Sequence, residues 1–144
     1  MAIAQTMCTS FKVALLDGEM DFSSNTSQTF KIALFTSDAS LDADTTAYAV
    51  TNEASGTGYT AGGETLTIAT NSTSTDTTAY INFSTVSWDN SSITARGALI
   101  YRSSGTGNNA IAVLDFGLNK TTVDAKFEIT FPAANKNTAI IRIA

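Results

Sequence analysis

The stretch from Ile93 to Gly117 constrains the fold more than any other. It reads ITARGALIY, then RSSGTGNN, then AIAVLDFG. Two apolar, β-prone runs flank a polar, glycine-bearing connection, the pattern of an antiparallel hairpin with a long loop. In the first run Ile93, Ala95, Gly97, Leu99 and Tyr101 share one face, and Thr94, Arg96, Ala98, Ile100 and Arg102 the other. In the second run Ile111, Val113 and Asp115 oppose Ala110, Ala112, Leu114 and Phe116. Both faces are apolar near the middle, which predicts central strands of a sandwich with the loop 102–109 at its surface. Arg96 and Asp115 stand on the two strands and are placed to pair across them.

The rest of the chain repeats the theme. Residues 1–7 read as a short, uncharged arm. Thr9 or Ser10 is a helix N-cap candidate, Phe11, Ala14 and Leu15 share one helical face, and Gly18 is a stop. A short helix is expected over 10–17. Strands are expected at TFKIALFT, at AYAVTNEA (about 47–53), at ETLTIAT, at AYINFSTVSW, at KFEITF and at TAIIRIA, with the polar runs NSTSTDTT and LNKTTVD as turns. Pro132, the only proline, ends the KFEITF run. The expectation is one all-β domain over 1–144, an antiparallel β-sandwich or jelly roll of about eight strands with one short N-terminal helix. No strand–helix alternation calls for a parallel sheet.

Composition narrows the chemistry. With 43% hydrophobic residues the chain can bury a core without a metal or disulfide staple. There is no histidine and a single cysteine, Cys8, read as a small buried hydrophobe. The commonest general base and the commonest metal ligand are therefore missing. Asp38, Asp42 and Asp44 cluster in DASLDAD but lack the spacing of a calcium loop, and no metal is expected there. The glycines of SGTGYTAGG are not followed by a helix, so they read as turn residues and not as a phosphate cradle. No cofactor is expected.

Net charge is −5 and unevenly placed: 37–89 holds seven acidic residues and no Lys or Arg, while the remainder holds six acidic and eight basic ones. Such a chain is a poor partner for nucleic acid. The acidic half reads as solvated surface or as the complement of a basic partner. No secretory leader or membrane-spanning run is visible. Two aromatics stand out as contact candidates: Tyr59 in the glycine-rich linker, and Trp88 at a strand end beside Asp89 and Asn90. Trp88 is placed either to cap the core or to stack on a sugar or protein.

Several segments together carry a resemblance: MAIAQTMCTSFKVALLDG, TFKIALFTS, NEASGTGYTAGG, TARGALIY with AVLDFG, and FPAANKNTAIIRIA. In this order and spacing, over nearly the whole chain, they resemble small all-β structural proteins of tailed bacteriophages, of the capsid cement or decoration type. The resemblance implies a non-enzymatic virion protein, assembled in the bacterial host cytoplasm and bound to the capsid exterior, where it clamps neighbouring major capsid subunits. Its expected partners are the major capsid protein and itself, as a dimer or trimer, with no nucleic acid and no membrane. The arm and helix would then offer contacts, which makes Met1, Ile3, Gln5 and Phe11 interface candidates beside Tyr59 and Trp88. The alternative is a tail or adsorption component with a glycan- or receptor-binding sandwich. A carboxylate-based glycosidase would need two converging carboxylates that no spacing here predicts.

Overall fold

A computed structural model describes residues 2–103 and 107–144. The chain is all-β, with antiparallel sheets and one short helix. In order the elements are β1 (Thr6–Met7), α1 (Thr9–Leu16), β2 (Phe30–Phe35), β3 (Glu64–Leu66), β4 (Ile68–Thr75), β5 (Thr78–Phe83), β6 (Val86–Ser91), β7 (Thr94–Arg102), β8 (Ala110–Thr121), β9 (Ala125–Ile129) and β10 (Ile141–Ile143). They form a five-stranded sheet of order β1-β8-β7-β2-β3, a three-stranded sheet β10-β5-β4 and the pair β6-β9.

The hairpin read from the sequence is β7 and β8, at the middle of the large sheet. Leu99 faces Val113 and Ala33, and Ile100 faces Ala112 and Ile32. Ala98, Leu99 and Ile100 are fully buried, so β7 is covered on both faces. One cover is aromatic. Phe30 of β2 stacks on Phe22 (4.6 Å) and lies 6.2 Å from Phe83 of β5, while Phe22 meets Phe11 of α1 edge-on at 6.0 Å. This joins the helix and the small sheet to the large one, and each buried side chain of this size is worth about 1.5–3 kcal/mol. The other cover is the irregular segment 36–63, whose Tyr48 stacks on Tyr101 at 4.6 Å.

Five expected boundaries differ. AYAVTNEA is not a strand. It crosses the face of the sheet, touching it through the isolated bridges Ala47–Asn109 and Glu53–Phe35. AYINFSTVSW is two strands, β5 and β6, which part at Ser84–Thr85 and enter different sheets. The polar run NSTSTDTT continues β4 through Thr75 before the turn, where Asp76 takes a left-handed φ of 54°. LNKTTVD likewise lies partly in β8, which runs on to Thr121 past a bulge: β7 advances from Ala95 to Gly97 while β8 covers Asp115 to Lys120. That bulge distorts the outer edge of β8, a device that discourages edge pairing. The helix begins one residue before expectation, with Cys8 at the N-cap position making no side-chain cap.

Backbone contact fixes the 54–63 linker. Gly63 has φ +70°, and a Cβ placed there would sit 1.8 Å from the Ile32 carbonyl oxygen. Gly18, which ends α1, also has a left-handed φ of +73°, but nothing lies within 4 Å of its missing Cβ. The two glycines separate steric from conformational demand. Gly18→Ala should cost about 1 kcal/mol. Gly63→Ala should cost more than about 3 kcal/mol or prevent folding. Urea unfolding of both variants checks this, and equal losses would contradict the packing described.

Candidate interaction site

The segment covering β7 must satisfy its own polar groups against the sheet. Glu53 does this. Its Oε2 accepts from the Tyr48 hydroxyl at 2.6 Å, and its Oε1 accepts from the Tyr59 hydroxyl at 2.6 Å and the Gly62 N–H at 2.7 Å. The Tyr59 oxygen in turn accepts from the Leu34 N–H at 2.8 Å, and the Tyr101 hydroxyl donates to the Gly62 carbonyl at 2.7 Å. One carboxylate thus gathers three donors, and the phenols pin residues 48–62 to β2 and β7. Short charge-assisted bonds of this kind are among the strongest in proteins. Burial, reinforced by the hydrogen bond to Glu53, pushes the Tyr48 and Tyr59 phenols well above their ordinary value. Burial, and behind it the Glu53 charge, pushes Tyr101 up to about 12. Every donor around Glu53 holds a loop down, so the cluster works as a staple.

The candidate contact residues fall into two groups. Gln5 is exposed, and its Oε1 accepts from the Asp115 N–H at 3.3 Å. Met1 lies outside the described residues. Ile3, in contrast, is buried where its methyls close on Gly97. Phe11 is fully buried in the aromatic cover, Trp88 is 2% exposed with its ring 5.9 Å from both Tyr59 and Phe127, and Tyr59 is half-buried with its hydroxyl engaged. Trp88 therefore caps the core and offers no stacking face in this conformation. Cys8 is buried, and burial, then the Asp42 charge, pushes its thiol up to about 11. Arg96 and Asp115 do pair, at 3.1 Å. The Asp115 carboxyl is held below its usual range by the Gly117 N–H and then by Arg96.

Two surface features stand out, one in the acidic segment and one on the helix. Asp38, Asp42 and Asp44 line an open groove of about 460 Å³, and none of the three makes an ion pair among the described residues. Within it the Asp44 N–H donates to Asp42 at 2.9 Å, which shapes the loop. Among the described residues no group of three or more His, Cys, Asp or Glu side chains is placed to hold a metal ion. No helix there is long and apolar enough to cross a membrane. On α1, Leu16 is 89% exposed and Val13 is exposed beside it. A signal for this was present: Leu16 falls about 100° from Leu15 around the helix, off the Phe11–Ala14–Leu15 stripe. The Glu53 staple gave no such signal, because its members meet only once the loop is folded. Comparison of the chain with protein-family models, with curated proteins and with solved structures finds no match.

The tyrosines predict an alkaline limit. Their phenols stay neutral in the folded protein, whereas in the unfolded chain they ionise near about 10. Unfolding then releases protons, so stability is full below that pH and falls as pH rises toward the folded values. Cys8 adds to the same fall from about 9 upward. Urea midpoints should drop between about pH 9 and about pH 11, and the drop should be smaller in Tyr101→Phe. A flat profile would mean that these phenols are not held as described.

Proposed function

We propose that this protein is a non-enzymatic structural protein of a tailed-bacteriophage virion, of the capsid cement or decoration type. In this reading it assembles in the bacterial host cytoplasm, binds the outside of the shell and bridges neighbouring major capsid subunits, acting as a homo-oligomer. The stacked sheets are read as a β-sandwich of jelly-roll type, with β1 returning to β8 and β10 to β5 as its long closures.

The observation that carries the reading is the disposition of polar and apolar groups. The half-buried hydroxyl and carboxylate groups around Glu53 hold the chain together, while the outward side of α1 leaves apolar side chains exposed. A cement protein needs surface rather than reaction chemistry, and many weak contacts repeated around a shell give high avidity. The acidic groove of Asp38, Asp42 and Asp44 suits a basic surface on the shell. The resemblance of the quoted segments, spread over nearly the whole chain, to phage decoration proteins points the same way. The burial of Trp88 weighs against a sugar-stacking role for it in a tail or adsorption protein.

Copy number in purified particles tests this. Quantitative mass spectrometry of virions that carry the protein should give hundreds of copies that stay with heads separated from tails. A handful of copies leaving with the tails would overturn the proposal.

A further inference from the structure

β9 has an open edge. It pairs only with β6, and the ladder Val86–Ile129, Ser87–Glu128, Trp88–Phe127 runs without a shift. Among the described residues, 126–129 make no backbone–backbone hydrogen bond outside that ladder. Residues 126–130 all border one open hollow of about 480 Å³, although side chains along a strand alternate between its two faces. No residue of β6 borders it, so the hollow follows the edge that β6 leaves free. Phe116 and Lys120 of β8 border it too. Such an edge offers N–H and C=O groups to an added strand, and it lacks the bulge that distorts the outer edge of β8.

Charge selects the occupant. Lys126 and Glu128 are exposed on one face, on either side of Phe127, which is buried on the other. Two antiparallel copies of one strand pair about a two-fold axis at a single residue position. With the axis at Phe127, Lys126 of each copy stands opposite Glu128 of the other. With the axis at Lys126 or Glu128 like charges meet, and at Ile129 neither charge finds a partner. Asp89 of β6 lies 4.0 Å from the Lys126 Nζ. Each row across the joined sheets then alternates in sign: Asp89, Lys126, and Glu128 of the other copy. Lys126 also lies 3.8 Å from its own Glu128, an exposed contact of little strength that leaves both free to re-pair. Opposite charges directly across strands stabilise the pair and like charges destabilise it. A uniformly acidic or basic strand would set a like charge against one of the two, whereas a second copy satisfies both.

We infer that two copies of this chain join through the open edges of β9, antiparallel and centred on Phe127, to make one four-stranded sheet of order β6-β9-β9-β6. The inference rests on the homo-oligomer part of the function proposed above, names its face and register, and does not depend on the shell.

Sedimentation velocity on the purified full chain, from low micromolar to several hundred micromolar, tests this. The wild-type should approach twice the 15.1 kDa of one chain. Lys126→Glu and Glu128→Lys should each raise the dimer dissociation constant by about tenfold or more, with circular dichroism unchanged. An equimolar mixture of the two variants should regain wild-type affinity, because each then meets only opposite charges across the axis. Amide exchange over 126–129 should slow as the wild-type dimer forms. A wild-type that stays a single chain at the highest concentration, or a trimeric mass, would overturn the inference. So would single variants that dimerise as tightly as wild-type, a mixture no tighter than its parts, or exchange over 126–129 that ignores concentration. The two proposals fail separately. Dimers that do not bind heads would sink the cement reading alone, and monomers that bind heads would sink this one alone.

Discussion

The strand β7 is covered on both faces, and the rest of the structure follows from that constraint. A strand with Ala98, Leu99 and Ile100 fully buried cannot leave either side of its sheet to water. On one side the cover is regular: α1, the Phe22 loop and the small sheet meet Phe30 through edge and stacked ring contacts. On the other side the cover is a loop, which brings its own backbone donors and acceptors into the interior. The Glu53 staple and the close approach of Gly63 to β2 are the local answers to that problem. Regular structure buries backbone polar groups automatically, and an irregular cover must do it with side chains.

This division also explains what the sequence made legible. β7, β8, β2 and β9 alternate between apolar and polar or between two apolar faces, and a period of two is visible without knowing any partner. Arg96 and Asp115 could be paired in advance because they sit on adjacent strands of one hairpin. The extension of β4 beyond Thr70 was hidden because its residues from Asn71 onward are polar and exposed, so neither face carries an apolar stripe to read. The break at Ser84–Thr85 was hidden because Ile81 and Phe83 on one side, and Val86 and Trp88 on the other, serve different sheets with the same alternation. AYAVTNEA resembled a strand because a segment lying flat on a buried face also needs apolar and aromatic residues. Tyr48 meets that need by stacking on Tyr101.

The surface candidates divide along the same line. Ile3 and Phe11 were singled out by their place in the arm and helix, and Trp88 as a strand-end aromatic, and their apolar character is what drew them into the core. Leu16 could have been found from helical geometry, since with Val13 it falls off the stripe of Phe11, Ala14 and Leu15. The acidic bias of 37–89 was visible as a count, and folding concentrates part of it into one groove through Asp38, Asp42 and Asp44. Taken together, the half-buried hydrogen bonds of Glu53 hold the cover in place and the exposed features are suited to contact. That is the physical basis for reading the chain as a builder of interfaces.

The proposed cement role is tested most directly on phage particles. Heads prepared without this protein, and the same heads after the purified chain is added back, would be heated while release of the packaged genome is followed by a dye. The account predicts saturable binding and release at a higher temperature once the protein is bound. Heads that bind none of it, or bind it and release their contents at an unchanged temperature, would contradict the account.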